Sequence, residues 1–257
     1  MFAGKYLTDP NLKKQAALIV ARIGLKDKTL SGKAVRDVLQ LAQPLISGTD
    51  SAILVNKLRA HLNAMPYDHG FVSLFNGKDL TGWKGPVDQY EVVDGAIYCK
   101  QGKGGTLHTV DEFSDFKVRA EFKLPPGGNN GFAIRYPGTG NTAYVGMCEL
   151  QVLDDSAEKY AKLDPRQYHG SVYGIVAAHR GYQRPVGEWN FEEVTVEGSR
   201  IRVELNGTVI VDADVSQVTE YMANSPHPGK ERTSGHFGFA GHSDPVGFRA
   251  LRVLSLK

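Results

Sequence analysis

The sequence predicts an antiparallel β-sandwich or barrel over residues 68–257, preceded by a short all-helical segment over residues 1–67. Three observations predict this. Apolar residues recur at helical spacing up to Pro66, and at a period of two from Phe71 onward. Gly, Pro, Asn and Asp clusters cut the second region into many short runs, with no helical pattern between them. Two of those cuts are hairpin signals: Asp94-Gly95 joins YEVV to AIYC, and Asn206-Gly207 joins IRVEL to TVIV.

In the helical segment, Asp9-Pro10 opens a first helix with Leu12, Ala16, Ile19 and Ile23 on one face and Gly24 as its stop. Ser31 opens a second, with Val35, Val38, Leu39 and Ala42 inward and Pro44 as its end. Thr49 or Asp50 caps a third, whose inward face carries Ile53, Leu54, Leu58, His61 and Leu62, and Pro66 ends it. Three such helices resemble a small bundle or part of a helical-repeat array. They carry no chemistry-bearing cluster, so the segment reads as a spacer or as a docking element for a protein partner.

Strands are expected at 90–93, 96–99, 116–124, 131–136, 145–153, 171–177, 192–197, 200–206, 208–211, 235–241 and 246–256. Alternation sorts their faces. Val118, Ala120, Phe122 and Leu124 oppose Arg119, Glu121 and Lys123; Phe132, Ile134 and Tyr136 oppose Ala133 and Arg135; Leu150 and Val152 oppose Glu149, Gln151 and Leu153. The apolar sets are the expected core between two sheets.

Composition bounds the function. The 257 residues carry 30 basic and 28 acidic side chains, a near-balance that gives no support for a nucleic-acid partner. No run approaches the roughly 18 apolar residues of a membrane span. The first residues, MFAGKYLTDPNLKK, lack the apolar core of a signal peptide, so the chain reads as cytoplasmic or as the mature part of an exported protein. Cys99 and Cys148 form no metal spacing and read as two free thiols.

The polar outer-face residues are the chemical candidates. Glu121, Arg135, Glu149 and Gln151 come from successive runs and are expected to line up across one sheet, although each alone is equally a solvated side chain. Sugar recognition wants such an array beside an aromatic platform. Trp83, Trp189, Tyr136, Tyr144 and Tyr173 are available platforms, or else core aromatics. An ordinary two-carboxylate glycosidase is disfavoured, because the residue in phase with Glu149 is Gln151, which does not titrate. Among the histidines, His236 and His242 flank GFAG at even spacing and are expected on one face, with His242 suited to proton transfer.

Several motifs act as a set: FVSLFNGKDLTGW (71–83), YEVVDGAIYC (90–99), DFKVRAEFKLPPGGNNGFAIR (115–135), ELQVLDD (149–155), PVGEWNFEEVTVEGSRIRVELNGTVIVD (185–212) and GHFGFAGHSDPVGFRALRV (235–253). Together they resemble the 3-keto-disaccharide hydrolase domain family. The resemblance implies a concanavalin A-like jelly-roll sandwich, a bacterial and often exported protein, and cleavage of glycosides whose sugar is oxidised to a ketone at C3. A C3 ketone acidifies the C2 proton, so a base can form an enolate and expel the C1 substituent. On that reading Glu149 or His242 is base or acid and Arg135 stabilises the enolate. Glu121, Asn130 and Gln151 orient hydroxyls, and Trp189 or Tyr173 is the platform. No metal is required; a divalent cation held by Glu149, Asp154 and His242 is the alternative electrophile. The competing class is a carbohydrate-binding, lectin-like module with no turnover.

Overall fold

The computed structural model describes residues 2–27, 30, 33–47, 51–64 and 70–256. The chain divides into two compact units, Met1–Gly70 and Phe71–Lys257.

The first unit holds helices α1 (Lys13–Lys26), α2 (Lys33–Ala42) and α3 (Ser51–Ala64). Its core joins Ala16, Ala17, Val20 and Ala21 of α1 to Leu39 and Ala42 of α2 and Leu58 and Leu62 of α3. The buried face of α1 is therefore rotated from the expected one: Leu12, Ile19 and Ile23 are exposed, as is Ile53 of α3. Gly24 does not stop the helix. It lies buried within α1, where a Cβ would press on the Leu39 side chain. Small residues let α1 approach α2 closely, and closeness outweighed side-chain size in choosing the inward face. The expected start at Ser31, the caps at Thr49 or Asp50 and the stop at Pro66 lie outside the described residues.

The second unit is a sandwich of two antiparallel sheets. Its strands are β1 (Val72–Ser73), β2 (Trp83–Lys84), β3 (Tyr90–Val93), β4 (Ala96–Cys99), β5 (Gly104–Phe113), β6 (Phe116–Lys123), β7 (Asn129–Tyr136), β8 (Cys148–Leu153), β9 (Trp189–Glu197), β10 (Arg200–Leu205), β11 (Thr208–Asp214), β12 (Gly235–His242) and β13 (Gly247–Ser255). The larger sheet runs β11-β10-β9-β6-β13-β4-β3, with β1 paired to β13; the smaller runs β2-β5-β12-β7-β8. A short helix, α4 (Thr142–Val145), follows β7. Both hairpin signals form turns with positive φ at Asp94, Gly95, Asn206 and Gly207. Between the sheets, Phe132, Phe237, Phe239 and Phe248 interlock, the last two stacked at 4.0 Å.

Strand β5, ten residues long, was not legible as a strand. A register shift against β12 between His236 and Gly238 breaks its alternation. The expected strand over 171–177 is instead an irregular segment bridging β8 through Leu150 and Val172. Cys99 and Cys148 are both free and buried.

The same bulge re-aims Arg135. Its backbone is left-handed (φ 47°), and its guanidinium turns inward to Asp115 Oδ1 at 3.0 Å and to the carbonyls of Ser114, Gly198 and Arg232 at 2.7–2.9 Å. Arg135 is 1% exposed, so it is a structural tie and not an enolate stabiliser. Replacing it by Ala leaves Asp115 buried without its cation. We expect a loss of about 3–5 kcal/mol in urea unfolding, with activity per folded molecule retained; an activity loss in fully folded protein would return Arg135 to the reaction.

Candidate active site

The outer face of the smaller sheet carries the site. On β8, the pleat sends Cys148, Leu150 and Val152 to the core and Glu149, Gln151 and Leu153 outward. Opposite them on β7 stand Ala133, Gly131 and Asn129. Gly131 is the enabling residue. A Cβ there would overlap the Glu149 carboxylate and its Cγ, so glycine alone lets Glu149 lie flat across β7. The carboxylate thereby comes within 3.5 Å of His242 Nε2, at the end of β12.

Glu149 is 4% exposed, whereas the His242 side chain is half open to solvent. Pairing with Glu149 raises the His242 pKa above its ordinary 6.5, against the opposing effect of burial; Asp244 adds a smaller upward push. Below the unfolded value the pairing stabilises the fold in full, and that contribution is lost as pH rises through the folded value.

Around this pair lies a pocket of about 230 Å³. Asn129, Asn141, Gln151 and Gln167 supply amides; Tyr144, Tyr160 and Tyr173 supply rings and hydroxyls; Leu153 and Leu163 supply apolar wall. Gln151 Nε2 donates to Asn129 Oδ1 at 2.6 Å. The Asn129 amide in turn donates to Asp244 at 3.0 Å. Tyr173 is placed by its own N–H, which donates to the Glu149 carbonyl at 2.9 Å. Its hydroxyl oxygen accepts from Gln167 Nε2 at 3.1 Å, leaving its proton free to donate. Burial raises the Tyr144 pKa, as do nearby Tyr173 and Glu149, so its phenol stays protonated. Asn141 caps α4 and aims this loop at the pocket.

Of the expected site residues, Glu149, Gln151, His242 and Tyr173 are brought together. Asn130 is not: one pleat position from Asn129, it faces the core, fully buried, its Oδ1 accepting from the Gly131 amide. Glu121 and Trp189 belong to the other sheet, on β6 and β9, because the turn over 124–128 crosses between sheets. There Glu121 pairs with Arg249 at 2.6 Å, and Arg249 covers the Trp189 ring at 4.0 Å. His236 pairs with His108, ring centres 4.5 Å apart, instead of joining His242. Asp154 is buried and holds its own loop, accepting from the Gly127 and Ser156 amides at 2.7 and 3.0 Å. Among the described residues, no three His, Cys, Asp or Glu side chains gather as a metal-holding group. Sequence reasoning missed Asn129, Asn141, Tyr160 and Gln167; the repeated Asn of GGNNG was the one usable signal.

A jelly-roll sandwich bearing a buried carboxylate–imidazole pair in a ring-sized, amide- and tyrosine-lined pocket is a glycoside-cleaving enzyme of the hydrolase class. Residues 70–254 match the 3-keto-alpha-glucoside-1,2-lyase-like domain family, and the chain belongs to it. It is similar to a 3-keto-disaccharide hydrolase of Bacteroides thetaiotaomicron, with 26% identity over 231 aligned positions, covering 74% of this chain and 80% of that protein. Two crystal structures from Parabacteroides distasonis, each assigned as a glycosyl hydrolase, share the fold. One has TM-score 0.65 and 27% identity over 72% of this chain and 99% of that one; the other has TM-score 0.63 and 25% identity over 74% and 95%.

Two outcomes are expected. His242 titrates above 6.5 by NMR in the native protein and drops in Glu149→Gln; an unmoved midpoint would mean that Glu149 is not its partner. Gly131→Ala displaces the carboxylate and lowers kcat/KM about 100-fold with far-UV circular dichroism unchanged. Full activity in that variant would show that Glu149 need not lie across β7.

Proposed function

We propose that this protein cleaves 3-keto-glycosides by elimination and rehydration, with Glu149 as the base. The carrying observation is the buried Glu149 carboxylate beside an imidazole of raised proton affinity, in a pocket lined by no other carboxylate among the described residues. A two-carboxylate glycosidase needs a second acid about 5–9.5 Å away. Elimination needs one base, one acid and donors for an enolate oxygen.

In the first half-reaction Glu149 takes the C2 proton. The C2–H electron pair moves into the ring to give the C3 enolate. As that enolate collapses, the C1–C2 double bond forms and the C1–O bond breaks. The protonated His242 gives its proton to the departing oxygen. Tyr173 donates to the C3 oxygen through its free hydroxyl proton, and Tyr144 is a second neutral donor beside it. In the second half-reaction water adds across C1–C2, hydroxyl to C1 and proton to C2, so the sum is hydrolysis. Gln151 and Asn129, tied to each other, orient ring hydroxyls, and Tyr160 offers a face to ring C–H groups. The 1,2-lyase in the family's description is the bond pattern of the first half-reaction.

For a divalent cation the donor set is thin. Glu149 and His242 are two ligands, and Asp154 is committed to its loop. No step here runs through a metal.

The test is aglycone release from a 3-keto-glucoside beside its unoxidised parent, with and without chelator. Release from the ketone alone is expected, insensitive to chelator, with Glu149→Gln lowering kcat at least about 100-fold. Loss with chelator would replace the proton-donor scheme by a metal-assisted one. Sugar binding with no release from either glycoside would leave a lectin-like module.

A further inference from the structure

The Glu149 pocket, about 230 Å³, lies below the range of about 300–1,000 Å³ that holds a whole small ligand. It has room for one sugar ring. A second, larger cavity of about 570 Å³ opens beside it. Leu153 lines the first and Asp154 the second, and consecutive Cα atoms are only about 3.8 Å apart. The main chain at the end of β8 is thus the partition between them. Gln183, on the second cavity's wall, braces that partition: its Nε2 donates to the Leu153 carbonyl at 2.7 Å, and its Oε1 accepts from the Asp155 amide at 3.4 Å.

We propose that this second cavity is the subsite for the leaving sugar of a disaccharide whose keto ring sits against Glu149 and His242. The proposal rests on the reaction read above for that pocket and extends it to the second ring.

The wall chemistry fits a neutral sugar. Leu124, Pro185 and Val186 give an apolar surface for a ring's C–H face. Behind them the polar groups are fixed before any ligand arrives. Asn190, 2% exposed, accepts on Oδ1 from the Arg184 amide at 2.8 Å and from Asn206 Nδ2 at 2.9 Å. Asp154 is saturated by its loop, and Asp155 offsets Arg180 at 3.4 Å. Arg184 and Glu188 remain to meet hydroxyls, one donor and one acceptor of opposite charge. Their charges cancel, which disfavours an acidic sugar against a neutral one.

The experiment compares kcat/KM for a 3-keto-disaccharide with that for the methyl 3-keto-glucoside, in the native chain and in Val186→Trp. Val186 is 38% exposed, so the added bulk fills the cavity without touching the core. The disaccharide-to-methyl ratio is expected to fall tenfold or more. An unchanged ratio overturns the subsite. A binding arm separates this from the reaction itself: calorimetric titration of the unoxidised disaccharide, with methyl glucoside as the one-ring control. Fivefold or more loss of disaccharide affinity in Val186→Trp supports the subsite even where no ketone is cleaved, and then only the reaction fails. Equal affinities in the two proteins, or a native chain that binds the disaccharide no better than methyl glucoside, overturn the subsite.

Discussion

The sandwich is held at one end by a buried cation, and the site exists because the other end is left open. Arg135 reaches the β5–β6 turn at Ser114 and Asp115, the β9–β10 turn at Gly198, and Arg232 ahead of β12. Asp115 also accepts from the Gly198 amide at 2.9 Å. A charge this deeply buried is tolerable only when every donor is answered, and here four carbonyl and carboxylate oxygens answer it. The left-handed residue that turns Arg135 inward is also what ends the regular pairing of β7 with β12. Strand β7 therefore has two duties. Its last residues lock the sheets together. Its first residues, Asn129 to Gly131, are freed from that task and form the floor of the pocket.

That division explains what the sequence could and could not reveal. Alternation along a single strand is local, so the outward placement of Glu149 and Gln151 was legible, and so were both hairpins. Which strands share a sheet is not local. Glu121 has the correct phase on β6, but the Pro125–Gly128 turn carries the chain to the opposite sheet, and no periodicity records that crossing. Arg135 had the correct phase too, and a bulge overrode it. Asn130 failed by one residue: the side-chain period is two, so an uncertain strand start inverts every assignment that follows. In the helical unit, large apolar residues pointed to one face of α1, while close packing through alanine and Gly24 selected the next. Residues such as Gln167 and Tyr160 come from irregular segments, where spacing carries no information about facing.

The chemistry follows from how few charges the pocket keeps. Its amides satisfy one another or the backbone, and its phenols are neutral. The ionisable partners are then one carboxylate and one imidazole, each tuned by the other. Two carboxylates at bonding distance from C1 would stabilise a cationic oxocarbenium centre. A single base facing neutral donors suits the opposite case, in which negative charge develops on a ketone oxygen and must be spread over hydroxyl protons. Gln151 sits where a second acid would stand. Its amide donates to Asn129 at 2.6 Å, a contact that fixes both side chains and adds no charge. An acid there would lie on the same strand face as Glu149 and raise the cost of ionising it. The glutamine thus keeps Glu149 available as a base while the pocket retains its polar surface for hydroxyl recognition.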